Sequence, residues 1–369
     1  MPGLSVRARI TSGVVVACIA SQVVAARMPG QMPPLTASDT GAGEKIPIEV
    51  FKGPRSKHIE APDCGSNTAS RLTSPACEVL RSGTEGWVRL GFMVDPKGKP
   101  FEITVIRSTG NKTLEEVAKK AIEQSTFEPG SLNGKPIESG YELNYVFLNS
   151  RGASHEGTTR GFIDAYEALM RAVRAGDRTA ADLAMKKLEI SDLFEDALVG
   201  FATYNYATKW GDNLQQLAGL RRAIAGRSYL PVDVFRSALL ACFELEVSAH
   251  EYGEALDTWS QLEKTNIDKS TAARLRGIVD HVEKLRFDNT SYALSGEMTD
   301  GTWYLHLFKR HFRALVSEGY ISQVKLRCDK NYLFFAFDPK LNYEVSGKDG
   351  DCSIEFVGAP GTRFELVQF

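Results

Sequence analysis

The chain has 369 residues, 43% apolar and 24% charged, which is material for two or three packed cores. A formal net charge of −2 and a pI near 6.4 give no general pull toward polyanions, and no stretch interleaves aromatic with basic residues. No nucleic-acid binding is therefore expected.

Arg7 and Arg9 precede an apolar run from Ile10 to Ala26, and Arg27 follows it. This is the order of a secretory signal, so residues 1–26 are expected to be a signal peptide or short anchor, with cleavage after Val24-Ala25-Ala26. Val15-Val16-Ala17-Cys18 offers a second reading, a lipoprotein site with the lipid on Cys18. Ser12, Gly13, Ser21 and Gln22 interrupt the run and leave it short of the ~20 apolar residues that span a bilayer. Retention as an inner-membrane anchor is the weaker alternative, and it would give the chain a membrane association. Residues 27–45 are rich in Pro, Gly, Ser and Thr, bury too little apolar surface to order themselves, and read as a flexible linker.

Export to an oxidising compartment suits the cysteines. Cys64 and Cys77 are candidates for a short loop closure worth about 3 kcal/mol on the chain-entropy model. Cys328 and Cys352 are candidates for a bridge between strands near the C-terminus. Cys242, inside the apolar stretch Ala238-Leu239-Leu240-Ala241-Cys242-Phe243, is expected to be a buried free thiol that packs as a small apolar residue.

Within residues 46–150 the periodicity predicts a strand, a hairpin turn, a second strand, a helix and a last strand. Val88, Leu90, Phe92 and Val94 share one face of a strand from Trp87, while Arg89 and Gly91 point away from it. Asp95-Pro96-Lys97-Gly98-Lys99 supplies a turn, after which Phe101, Ile103 and Val105 resume the alternation. Leu114, Val117, Ala118, Ala121 and Ile122 form a helix stripe that covers the sheet. Asn133-Gly134-Lys135-Pro136 turns the chain into a final strand, Tyr141 to Leu148, with Tyr141, Leu143, Tyr145 and Phe147 on one side and Glu142, Asn144 and Val146 on the other.

Glu85-Gly86-Trp87-Val88, Val94-Asp95 with Gly98, Val105-Ile106 with Ser108-Thr109-Gly110, Leu114, Phe127-Glu128-Pro129 and Asn133-Gly134-Lys135-Pro136 resemble, in order and spacing, the C-terminal domain of the TonB energy transducers. The resemblance covers about residues 75–148. It implies a protein of the Gram-negative envelope or periplasm whose last strand is an open edge that pairs with an extended segment of an outer-membrane transporter. The partner-binding residues it implies are Tyr141, Glu142, Leu143, Asn144, Tyr145, Val146 and Phe147.

Residues 155–287 turn almost wholly helical by pattern, with stripes such as Phe162, Tyr166, Leu169 and Val173. The turns Ala175-Gly176-Asp177, Trp210-Gly211-Asp212 and His250-Glu251-Tyr252-Gly253 recur near the 34-residue period of tetratricopeptide repeats. Gly253-Glu254-Ala255-Leu256 with Trp259 and Leu262 resembles the start of such a repeat's second helix. The expectation is a TPR-like array of hairpins, a partner-holding surface or a plain helical spacer. Residues 290–369 return to a period of two in short strands and read as a β-sandwich-like domain. The fold class is thus multidomain α+β: a TonB-like ββαβ domain, helical hairpins and a small all-β domain.

No phosphate loop, Gly-x-Ser-x-Gly elbow, His-Glu-x-x-His or Cys-x-x-Cys occurs, so no enzyme, catalytic residue, cofactor or metal is expected. His306 and His311, five apart, converge on neither a helix nor a strand. The apolar N-terminal run lacks the histidine of the TonB membrane helix, and the linker is far shorter than the family's arm. The leading expectation is therefore a TonB-like periplasmic protein that binds protein partners through its sheet edge and helical surface, linked to outer-membrane transport. The alternatives are an energy transducer anchored in the inner membrane and a structural envelope protein whose sheet edge is capped by its own chain.

Overall fold

A computed structural model describes residues 49–62, 74, 77–78, 84–148, 158–225 and 230–369. The expected signal segment, the lipidation site at Cys18, the linker and Cys64 lie outside the described residues.

The TonB-like region opens with two short strands, β1 (Phe51–Lys52) and β2 (Arg55–His58). It continues through β3 (Gly86–Val94), β4 (Pro100–Ser108), helix α1 (Lys112–Gln124), β5 (Thr126–Glu128), β6 (Gly130–Leu132), β7 (Lys135–Ile137) and β8 (Ser139–Phe147). Three of these form an antiparallel sheet in the order β4-β3-β8. The Asn111 side chain caps α1 by accepting from Thr113 and Leu114 N–H, and the helix buries the expected stripe, Leu114, Val117, Ala118, Ala121 and Ile122. These meet Val88, Leu90, Phe92, Val94, Phe127, Tyr145 and Phe147 in one core. Asn133 and Gly134, at φ of 51° and 78°, make the tight turn between β6 and β7 that their residue types favour.

One expectation for β4 fails. Glu102 adopts φ 51° where the β3–β4 register shifts, a bulge that adds a residue to β4. Phe101, expected beside Ile103 and Val105, instead meets the Tyr332 ring edge-on with centroids 5.9 Å apart.

The helical region comprises α2 (Arg160–Ala175), α3 (Arg178–Met185), α4 (Leu193–Trp210), α5 (Asn213–Ala225), α6 (Val232–Ser248), α7 (Tyr252–Leu262) and α8 (Lys269–Leu285). Among the described residues α2 to α7 pair as successive hairpins, and the expected turns separate the helices within each pair. Gly176 ends α2 in the left-handed conformation and Asp177 caps α3 by accepting from Ala180 N–H. Cys242 is buried and free, packed with Leu217, Leu220 and Ala238.

The C-terminal region is two facing four-stranded antiparallel sheets. Its strands are β9 (Tyr292–Glu297), β10 (Thr302–His306), β11 (His311–Glu318), β12 (Ile321–Cys328), β13 (Tyr332–Ala336), β14 (Tyr343–Glu344), β15 (Cys352–Gly358) and β16 (Arg363–Gln368). Their orders are β10-β15-β12-β13 and β14-β11-β16-β9. Cys328 and Cys352 stand opposite each other on β12 and β15 and form the expected disulfide. Cys77 is also disulfide-bonded. Tyr252 of α7 and Val282 of α8 join the sandwich core, so helices and strands share one apolar interior. Residues 49–369 accordingly form one compact unit.

Candidate functional site

The structure brings two features together at β8: a strand edge that no described strand pairs and a buried polar junction. In β8, Tyr145 and Phe147 are buried in the helix-side core, and Tyr141 and Leu143 pack against it. Tyr141 lies with its ring centroid 5.6 Å from those of both Phe92 and Phe127. Asn144 and Val146 are exposed. β8 pairs with β3 alone among the described strands, so no described strand covers its outer side. Near its start the edge is approached by β12: a Cβ on Gly140 would stand 3.1 Å from the Cys328 carbonyl oxygen.

Glu142, one of the residues of the expected partner set, is turned toward the rest of the chain and is only partly exposed. Its face of the sheet, read from Arg89 and Gly91 as pointing away from the core, is covered by the helical and β regions. Trp87 Nε1 donates to Asp196 Oδ2 on α4 at 3.3 Å, and Arg222 of α5 holds the other oxygen of that carboxylate from 2.8 Å. Leu193 N–H donates to Glu85 at 3.2 Å. On the β side, Arg327 donates to the Glu102 carbonyl at the bulge, at 2.9 and 3.2 Å, and to Glu355 at 2.6 Å. Lys325 reaches the Glu102 carboxylate at 2.9 Å. The bulge is thus the docking point for β12.

Glu142 sits at the centre. Its Oε2 accepts from Arg89 Nε and Nη2 at 2.9 and 2.6 Å, while Oε1 accepts from Tyr304 Oη at 2.7 Å and faces His306 Nε2 at 2.6 Å. Burial works to raise this carboxyl, but the His306 hydrogen bond and charge, with Arg89 and Tyr304, outweigh it and hold it at about 2. Burial would likewise lower His306, yet Glu254 and Glu142 carry it well above the usual histidine range. Glu254 lies 3.2 Å from His306 Nδ1 and 3.8 Å from Arg107. Asp257 Oδ2 lies 3.3 Å from the same nitrogen. Behind them Arg221 bridges Glu246 and Glu251, and Thr258 donates to Glu246 at 2.6 Å.

A cavity of about 480 Å³ opens beside this junction, walled by Phe92, Tyr141 and Glu142 of the sheet, Asp257 of α7, and His306 and Asp329 of the β region. It can admit water or a small polar group at the end of the β8 edge. His311 is remote from this chemistry, next to Glu344 and stacked on Phe369, so the two histidines do not converge. Sequence reasoning missed the junction because Tyr304 and His306 alternate with buried Leu305, the same pattern as a solvated strand face.

Among the described residues no helix is long and apolar enough to cross a membrane. A sequence comparison with curated proteins returns no match. The family model of the Gram-negative bacterial TonB protein C-terminal matches residues 78–148, so the sheet that carries the β8 edge, with its helix α1, is a TonB C-terminal domain, a module of Gram-negative envelope proteins.

Proposed function

We propose that the chain is a TonB-like periplasmic binding or adaptor protein that takes an extended segment of a protein partner as an additional strand on β8. The observation behind this reading is the sheet order β4-β3-β8, which leaves the outer N–H and C=O groups of β8 unpaired by any described strand. Such an edge binds a guest strand through main-chain hydrogen bonds, and alternate side chains select it. Exposed Asn144 and Val146 are placed to read the guest, whereas Tyr145 and Phe147 anchor the strand to the core. The nearness of Cys328 to Gly140 favours pairing along the Asn144–Phe147 half. The partner class implied by the TonB domain is the N-terminal segment of an outer-membrane transporter. The stacked hairpins of α2 to α7 offer a second, TPR-like surface for a protein partner.

Amide hydrogen exchange on the full chain, read by mass spectrometry, tests the proposal. The outward amides of residues 144–147 are expected to exchange fast in the free protein and to slow when transporter segment is added. Strong protection without any partner would reject edge pairing. It would favour a self-capped structural protein, a reading supported by the chain's use of the sheet's second face to hold its own helices and strands. The transducer reading requires residues 1–26 to stay on the mature protein, which N-terminal peptide mapping decides.

A further inference from the structure

The two ring nitrogens of His306 have opposite surroundings. Nε2 lies 2.6 Å from Glu142 Oε1, and Arg89 and Tyr304 fix that carboxylate in place. Nδ1 is fully buried and has no hydrogen-bond partner. Glu254 Oε1 and Asp257 Oδ2 nonetheless stand 3.2 and 3.3 Å from it. A proton on Nδ1 is therefore close to two carboxylates yet well aimed at neither, and a bare lone pair there faces two negative groups. A cation between the three atoms removes both difficulties. Ligands bonded to one ion at 2.0–2.1 Å in a tetrahedral set are about 3.3–3.4 Å apart, close to the two distances from Nδ1 to these carboxylate oxygens, 3.2 and 3.3 Å.

The local fold supplies the donors together. Glu254 and Asp257 are three residues apart in the first turns of α7, which sets their carboxylates on one helix face. Gly253 lets that turn press onto the end of β10, because a Cβ there would stand 3.0 Å from the His306 carbonyl oxygen. The donor atoms of the three residues all lie within 4.8 Å of one another. The nearby cations take the far oxygens: Arg107 approaches Glu254 Oε2 and Arg89 binds Glu142 Oε2, which leaves both Oε1 atoms on the His306 side. Glu254 is almost wholly buried, while Asp257 is half exposed and, with His306, lines the cavity, an entry path and a place for a water ligand.

We infer that His306 Nδ1 and one oxygen each from Glu254 and Asp257 form a site for a single divalent transition-metal ion, with the cavity side open to water. One imidazole and two carboxylates suit Zn²⁺ or Mn²⁺. Glu142, receiving Nε2–H, supplies the outer carboxylate that orients a metal-bound imidazole.

Isothermal titration of Zn²⁺, and separately Mn²⁺, into the chelator-treated full chain tests this, with Co²⁺ absorption as a spectroscopic readout of the ligand set. One ion per chain is expected. Asp257→Asn should weaken binding at least tenfold without moving the thermal midpoint of the ion-free protein, and His306→Gln should abolish it. Glu142→Gln should weaken it by roughly tenfold through the outer carboxylate. His311→Gln should leave it unchanged. Absence of saturable binding, or equal binding in Asp257→Asn and the unaltered chain, overturns the inference and leaves His306 as a plain ion-pair centre. If His306→Gln does not fold, Asp257→Asn and the Co²⁺ spectrum of the unaltered chain decide.

Discussion

Both faces of β3, the central strand of the β4-β3-β8 sheet, are buried, but by different means. Toward α1 the contacts are apolar: Val88, Leu90, Phe92 and Val94 close against Leu114, Val117 and Ile122. On the reverse face Trp87 and Met93 are as deeply buried, yet around them the join to the rest of the chain is made through charges, Arg89 with Glu142 and the Glu102 bulge with Lys325 and Arg327. Apolar burial needs only volume and pattern, whereas buried charge needs each partner in place. The first face therefore belongs to the domain itself, and the second exists only when all three regions come together.

The largest expected loss is on the apolar face. Phe92 is fully buried and touches Phe127 and Tyr141, so Phe92→Ala should cost about 3–5 kcal/mol in denaturant unfolding. A comparable loss is expected on the charged face from Arg327→Met, which strands a buried Glu355 and frees the Glu102 carbonyl. Breaking one side of such a pair costs about 3–5 kcal/mol. The two faces part company in the rescue: adding Glu355→Leu to Arg327→Met should recover most of that loss, while no single neighbour restores Phe92→Ala. If the double variant is no more stable than Arg327→Met, the loss does not come from an uncompensated charge on Glu355.

The contrast also explains what could be read from the sequence. The α1 stripe, the apolar strand face and the Asn133-Gly134 turn each declare themselves within a few residues, because period and turn chemistry are local. Glu142 does not: its partner His306 lies 164 residues away, and on β8 it alternates like any outward side chain. The bulge at Glu102 was equally hidden, since a single inserted residue leaves the apolar count unchanged. In β11 the pattern is blurred, because Leu315, exposed at 43%, interrupts the alternation of Phe312, Ala314 and Val316. The reading of β8 as an edge strand came only through the family resemblance, as nothing in Tyr141 to Leu148 distinguishes an edge strand from a paired one.

A smaller effect is expected from the disulfide that adjoins the charged seam. Cys328 follows Arg327 directly and is joined to Cys352 across 24 residues. Reduction, or Cys352→Ser with Cys328→Ser, should lower unfolding stability by about 3.5 kcal/mol on the chain-entropy model. A loss much larger than this would mean that the bond also holds β12 against the Glu102 bulge, which the Arg327→Met background would reveal as non-additivity.

The smallest effect isolates the exposed end of the seam. The hydrogen bond from Lys325 holds the Glu102 carboxyl below its usual range, with lesser help from Tyr332 and Arg327 against the opposing effect of burial. A carboxyl lowered by folding stabilises the protein above its unfolded value, about 4.3, and that contribution disappears as pH falls through the lower folded value. The pair is partly exposed, so its contribution is screened and belongs with surface ion pairs. Glu102→Gln should therefore lower the thermal midpoint slightly at pH 7, and the gap to the unaltered chain should close between about pH 4.3 and the acid limit. The backbone carbonyl of Glu102 survives this substitution and keeps its Arg327 donors, so a gap that stays constant with pH would show that the bulge geometry, not the carboxylate, carries whatever stability residue 102 contributes.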